Sequence, residues 1–288
     1  MKSYISLVQK ILSDGIRKQN RTGVDTLSIP GMLFEHDMAA GFPLLTTKRV
    51  PFRLVASELE FFIKGNTDKE WLKTRDNHIW DEWCSPDVVT YSHDETAKKK
   101  MKAERELGPI YGFQWRNFGA AYASYNERPA THGIDQLKIL VDSLKKDPMS
   151  RRMIVSSWNP QDLHRMALPP CHYAFQVLVA ENKLNLLWNQ RSVDVALGLP
   201  FNITSYGLLL HLLAKEAHLE EGRLVGFLAD THVYVNHIDG LKEQMKREPR
   251  QLPKIITAQF SSIFNWQYTD STIEEYNPHP RIEFEVAI

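Results

Sequence analysis

The 288-residue chain balances 35 lysines and arginines against 35 aspartates and glutamates, for a formal net charge of zero. That balance argues against broad nucleic-acid or membrane-surface binding, while an apolar fraction of 43% is ample for a real core. Two cysteines, Cys84 and Cys171, are too few for a disulfide framework and suit a reducing cytoplasm. The amphipathic N-terminus lacks the apolar stretch of a secretory signal, and no run of about 18 apolar residues could span a membrane.

Tyr4, Leu7, Val8, Ile11 and Leu12 recur at helical spacing, with Asp14-Gly15 as the stop. A second helix carries Leu54, Val55, Glu58, Leu59 and Phe62 and is halted by Gly65-Asn66. An insertion over about 85–106 follows. Its stretch 92–106 is dense in charge, and its mixed signs read as a solvated surface despite Lys98-Lys99-Lys100. A third helix runs near Ile134, Leu137, Val141 and Leu144, and Met153–Trp158 reads as a strand. Phe175–Ala180 and Leu184–Gln190 are strands joined by Glu181-Asn182-Lys183, a tight hairpin that makes part of the sheet antiparallel. The helix after Pro200, through Tyr206, Leu209, Leu210, Leu213 and Ala214, is apolar over more than one stripe and belongs in the core. Arg223–Ala229 and Ile263–Tyr268 are further strand candidates. Helices and strands intersperse without strict alternation, and neither repeat nor linker divides the chain. The expectation is a single α+β domain over residues 1–288.

The chemistry centres on Cys171, in Ala167-Leu168-Pro169-Pro170-Cys171-His172. Only a few per cent of a thiol ionises near neutral pH from a reference pKa of ~8.5, so its neighbours decide whether it reacts. Pro169-Pro170 stiffens the approach to it. If Cys171 starts a strand, His172 points to the opposite face, so the pair does not read as a protease-type dyad. Arginine is the alternative activator. Arg151-Arg152 follows a turn-like stretch, Arg191-Ser192 leaves a strand, and Arg21 sits on a Gly-containing turn. Guanidinium forks match phosphate oxygens two at a time. Asn202 offers a donor and an acceptor side by side, the pattern that meets N3–H and O4 of uracil, or else it caps a helix. On an extended segment His232 and Tyr234 share a face and can reach a sugar hydroxyl. Glu58 is a carboxylate on an otherwise apolar helix face, costly unless it has a partner or a task.

Together these motifs resemble thymidylate synthases of the folate-dependent, cysteine-nucleophile type. The resemblance rests on Arg21-Thr22-Gly23, Pro43-Leu44-Leu45-Thr46-Thr47-Lys48, Trp80-Asp81-Glu82-Trp83, Leu107 to Gly112, Pro170-Cys171-His172, Gln190 to Asp194, Leu197 to Asn202, Asp230 to Tyr234 and Val286-Ala287-Ile288. It spans nearly the whole chain, in order. It implies a large mixed sheet packed by helices, with one sheet face forming the interface of a homodimer. It also implies conversion of dUMP to dTMP, with 5,10-methylenetetrahydrofolate giving carbon and hydride and with no metal. Cys171 would add to C6 of the uracil, Asn202 would hold N3 and O4, Glu58 would manage protons, and Tyr111 would lie near C5. Arg21, Gln190, Arg191, Ser192 and Asp194 would line the nucleotide site, joined by Arg151 and Arg152 from the second subunit, and His232 and Tyr234 would hold the ribose. Glu58, Trp80, Trp83, Asp194, Gly198, Phe201 and Ala287 would meet the folate, under a C-terminal tail that closes as a lid. One departure from the family pattern is Ala229, where glycine usually precedes Asp230, and it puts folate affinity in question. Two rival activities are a dUMP hydroxymethylase on the same fold, in which water replaces hydride, and a thiol hydrolase built on Cys171, which needs a histidine base and an oxyanion hole.

Overall fold

Period-two burial over residues 172–194 and 220–234 produces the central sheet. The computed structural model describes residues 1–20, 22–129 and 131–285. Its strands are β1 (Ile16–Lys18), β2 (Thr26–Asp37), β3 (Ile154–Ser156), β4 (His172–Ala180), β5 (Lys183–Asp194), β6 (Glu220–Tyr234), β7 (Lys254–Thr257) and β8 (Ser271–Glu274). The helices are α1 (Lys2–Asp14), α2 (Phe52–Ile63), α3 (Lys69–Lys73), α4 (Glu95–Ala103), α5 (Tyr111–Asn117), α6 (Gln136–Lys146), α7 (Gly198–Ala217) and α8 (Ile238–Met245). Six strands form one sheet in the order β1-β2-β6-β5-β4-β3, and β7 and β8 form a separate antiparallel hairpin. Only β5 and β6 run parallel; every other pairing in the large sheet is antiparallel. The α+β expectation and the mixed sheet therefore hold.

The parallel pair needs a crossover, and α7 supplies it, lying against β5 and β6 with α2 and α6 on its other sides. It is buried nearly all round, from Leu199 and Ile203 through Leu208, Leu209, Leu210, Leu212 and Leu213. Tyr206 stacks on Trp188 of β5, with ring centroids 5.7 Å from Trp188 to Phe34 and 5.3 Å from Trp188 to Tyr206. The other face of the sheet is uncovered in this chain. Leu33 and Phe227, paired across β2 and β6, are about half exposed, as is Ile154 of β3.

The hairpin expectation is correct: Glu181 and Asn182 both adopt positive φ, at 50° and 62°, the geometry of a type I′ turn. Gly65 ends α2 as expected, with φ +70°; its N–H reaches Phe62 O and the Asn66 N–H reaches Phe61 O, a Schellman closure. Three expectations change. Ile134 lies outside α6 and is exposed, because the Asp135 carboxylate accepts from the Lys138 N–H as the cap and the helix starts only at Gln136. The helix assigned to follow Pro200 begins at Gly198, where Asp194 Oδ1 accepts from Ala196 and Leu197 N–H. Pro200 thus falls in the first turn, where no N–H is needed. Ile263–Tyr268 is not a strand: Asn265 and Trp266 N–H both return to Ser262 O, and Ile263 is anchored by its N–H on Glu216. The charged insertion keeps its surface character, but residues 95–103 coil into α4, capped by Asp94, with Met101 its buried residue. Among the described residues, no helix is long and apolar enough to cross a membrane.

A Cβ built on Gly226 of β6 would lie 2.4 Å from the Trp188 ring. Gly226→Ala is therefore expected to cost about 1–3 kcal/mol by overpacking the Trp188–Tyr206 stack, read as a lower urea midpoint. An unchanged midpoint would mean that the stack yields freely.

Candidate active site

Cys171 stands immediately before β4, half-buried, with its main chain held on both sides. Its N–H donates to the Tyr111 hydroxyl at 2.8 Å, and its carbonyl accepts from the Arg191 N–H at 2.8 Å. The Arg191 guanidinium donates to both prolyl carbonyls, to Pro170 O at 2.9 Å and to Pro169 O at 2.7 Å, and it lies 5.5 Å from the Trp158 ring. Prolines have no N–H to tie them down, so the arginine does it through their oxygens. Arg191 is thus bonded to the segment that carries Cys171, through its main chain to Cys171 O and through its guanidinium to the two prolyl carbonyls, and fixes the loop that presents the cysteine.

His172 turns the other way. It is buried, shares a 2.9 Å hydrogen bond with the Tyr206 hydroxyl, and stacks on Tyr111 at 4.4 Å and 27°. Burial pushes its pKa down to about 3, so the ring is neutral. A thiol hydrolase would need this histidine as a base beside Cys171, and the imidazole is instead built into the core.

Tyr111 opens α5, and burial, reinforced by the nearby Cys171, raises its phenol well above the ordinary range, so the hydroxyl keeps its proton. Its ring stacks on Phe62 at 4.9 Å and meets the Trp80 ring at 6.2 Å. Trp80 in turn donates its indole N–H to Glu58 Oε1 at 2.7 Å. Burial raises the Glu58 carboxyl to about 7, against the opposing pull of that bond. Glu58, Trp80, Tyr111 and Cys171 are thus one connected group, although their numbers span more than a hundred positions. Trp83 lies edge-to-face against Trp80 at 6.3 Å.

Asn202 lies inside α7, four residues past its first residue, so the helix-cap alternative fails. Its Oδ1 accepts from Gln190 Nε2 at 3.0 Å. Gln190 also donates to Ser192 O and accepts from Trp188 Nε1 at 3.1 Å, which sets the orientation of both amides. Gly198 sits beside this pair, with a built Cβ 3.8 Å from Asn202 Oδ1, and Phe201 is half-buried against the core. Asp194 caps the approach to α7 and lies 4.0 Å from the buried His237 Nδ1. That nitrogen has no hydrogen-bond partner among the described residues.

His232 and Tyr234 share a face of β6 with their rings 5.3 Å apart, as the extended reading required. Ser192 pairs with Asp230 across β5 and β6. Arg151 and Arg152 are exposed just before β3, with Arg151 O accepting from Gln176 Nε2. Arg21 and Ala287, with the rest of the Val286-Ala287-Ile288 tail, lie outside the described residues. Ala229 lines an open groove of about 660 Å³ on the outer sheet, together with Arg17, Lys18, Ser28 and Arg191. Asp230 also lines that groove and pairs there with Lys18 at 2.8 Å.

Sequence reasoning passed over two residues here. Lys48 is buried, its ammonium bonded to Ala196 O and 4.7 Å from the Phe284 ring, and burial lowers its pKa to about 8. His237 holds Glu285 O through Nε2 at 2.7 Å. A lysine closing the Pro43–Lys48 run gave a signal for the first; the second had none until the chain end folded onto it.

With that geometry in hand, the comparisons agree. The thymidylate synthase family model matches residues 2–288. A similar protein is the bifunctional dihydrofolate reductase-thymidylate synthase of Paramecium tetraurelia, 43% identical over 285 residues, which are 99% of this chain and 61% of the relative. The chain belongs to the thymidylate synthase family, and it spans about 61% of the length of that curated relative.

The raised Glu58 carboxyl has a thermodynamic consequence. In the unfolded chain it titrates near 4.5 and in the fold near 7, so the fold binds the extra proton between those values and stability falls as pH rises through that window. Glu58→Gln removes the penalty. The variant is expected to be more stable than the parent at pH 8 by up to about 3 kcal/mol, the gain vanishing by pH 4.5. Equal urea midpoints at pH 8 would show that the carboxylate is not strained in the fold.

Proposed function

We propose that this protein methylates dUMP at C5 to give dTMP, with 5,10-methylenetetrahydrofolate as cosubstrate and dihydrofolate as the second product. The observation that carries the reading is a thiol pinned through its main chain by Tyr111 and Arg191 and grouped with a raised, tryptophan-bonded carboxyl. Cys171 would add to C6 of the uracil, making C5 nucleophilic. Asn202, its oxygen already oriented by Gln190, would accept from N3–H and donate to O4, an arrangement that cytosine does not match. Glu58, with a pKa near 7, can both hold and release a proton at O4 and at the folate nitrogens near neutral pH. The Tyr111 hydroxyl, protonated and fixed beside Cys171, would lie near the C5 proton that must leave. His232 and Tyr234 would bind the ribose hydroxyl.

The residues present suit a reduced folate. Trp80 and Trp83 give an aromatic wall, and the Asp194 carboxylate beside an unpartnered buried imidazole nitrogen gives polar groups for a pterin edge. Gly198, Phe201 and Ala287 complete that side in this reading. When bound, the folate supplies the one-carbon unit and the hydride.

Arg21, Arg191 and Ser192 would take the phosphate. The uncovered sheet face bearing Leu33, Ile154 and Phe227 supports a second copy docking there, in a cytoplasmic homodimer. The phosphate beside Arg191 would then also meet Arg151 and Arg152 of the partner subunit. The test is a spectrophotometric assay with dUMP and methylenetetrahydrofolate. Dihydrofolate is expected in step with dTMP, and Cys171→Ser is expected to lose turnover while still binding dUMP. Tetrahydrofolate appearing with hydroxymethyl-dUMP would move the assignment to a hydroxymethylase. For the shared site, mixing inactive Cys171→Ser with inactive Arg151→Ala/Arg152→Ala protein is expected to restore activity through heterodimers with one intact site. No recovery after subunit exchange would place both arginines outside the neighbouring site.

A further inference from the structure

Lys69, the first residue of α3, is 1% exposed although it carries an ammonium. Its Nζ donates to three main-chain carbonyls: Asp81 at 3.0 Å, Trp83 at 2.9 Å and Met101 at 2.7 Å. An ammonium has three N–H donors and no acceptor, so all of them are used. Two of the carbonyls belong to the turn that bears Trp80 and Trp83; the third belongs to α4 of the charged insertion. The Lys69 N–H also reaches Arg105 O at 2.8 Å, and the adjacent Asp68 carboxylate pairs with the Arg105 guanidinium. One residue therefore gathers the far end of the insertion and the tryptophan turn into a single junction.

Burying a cation is costly unless every donor is met, and an apolar residue at this position would strand three carbonyls. The carbonyl cage and the lysine thus specify each other. Within the turn itself, the main-chain bonds are local, Asp81 N–H to His78 O and Trp83 N–H to Trp80 O. The long-range hold on the carbonyls of residues 81 and 83 comes from Lys69.

We infer that Lys69 is a positioning residue for the reaction: it clamps the Trp80–Trp83 turn to α4 so that the Trp80 indole N–H stays on the Glu58 carboxylate. The inference rests on the proposed role of Glu58 in proton handling. It makes the charged insertion part of the machinery that tunes Glu58, rather than a neutral surface addition. A hydrogen bond to the ionised form favours that form, so loosening the Trp80 donor must raise the Glu58 pKa.

The experiment is the pH dependence of kcat in four variants, following the limb that disappears in Glu58→Gln. Trp80→Phe removes the donor itself and sets the reference shift. Lys69→Met removes the clamp, and Lys99→Pro breaks α4 without touching Lys69. Trp80→Phe and Lys69→Met are both expected to move the midpoint of that limb upward, by roughly half to one pH unit, with a smaller upward move in Lys99→Pro. A Lys69→Met enzyme with lower kcat at every pH but an unmoved midpoint would reduce Lys69 to a structural residue and overturn the inference. If Lys69→Met fails to fold, an unmoved midpoint in Lys99→Pro overturns it equally. An unmoved midpoint in Trp80→Phe would instead remove the Glu58 reading, and the role of Lys69 with it.

Discussion

The main chain of Cys171 is held at both ends, its N–H by the Tyr111 hydroxyl and its carbonyl by the Arg191 N–H. That pair of bonds joins α5 to β5 across the start of β4, and the rest of the pocket is arranged around it. Because Tyr111 is stacked between Phe62 and His172, any movement of Cys171 would drag a buried aromatic wall with it. Because Arg191 also ties down two prolyl carbonyls, the stiff Pro-Pro segment cannot swing. The thiol is presented by a rigid frame, as the proposed attack at a fixed ring carbon requires.

Electrostatics divides the work around that frame. Burial keeps the imidazole of His172 neutral near pH 7 and pushes the phenols of Tyr111 and Tyr206 further above their ordinary range, and these three rings build walls. Burial brings the Glu58 carboxyl to about 7, where it can exchange a proton. The Trp80 indole keeps that carboxyl from rising further, and the Lys69 cage holds the turn on which Trp80 sits. A surface insertion and the Glu58 carboxyl are thereby linked through two hydrogen-bonded steps. His237 and Phe284 bring residues 284 and 285 against Asp194 and Lys48, so that side of the pocket is walled by residues from both halves of the sequence.

Much of this was legible in the sequence, and the reasons for the rest are physical. Helices with one apolar stripe, such as α1 and α6, announce themselves by period, and Gly65 marks the stop of α2 because a residue tolerant of positive φ closes that turn. β2 was not legible, because Pro30-Gly31 in its middle reads as a break although the strand continues through it, paired to β6 on both sides. The 263–268 stretch read as a strand because its apolar residues are buried, yet they are buried by a turn anchored on Glu216. The charge of α4 hid a helix whose single buried side chain is Met101.

The sequence by itself determined the chemical parts: a cysteine after two prolines, an arginine on the following strand, a carboxamide near the start of an apolar helix, and a carboxylate on an apolar face. Side-chain type and local spacing are sufficient for that, because reactivity and hydrogen-bonding capacity belong to the residue itself. Only the tertiary structure decided how the parts are used. It stacked His172 on Tyr111 and bonded it to Tyr206, put Asn202 inside a helix rather than at its cap, aimed Trp80 at Glu58, and buried Lys69 among three carbonyls. Each of those outcomes depends on contacts between segments tens of residues apart, and no local pattern encodes which distant carbonyl or carboxylate a donor will meet.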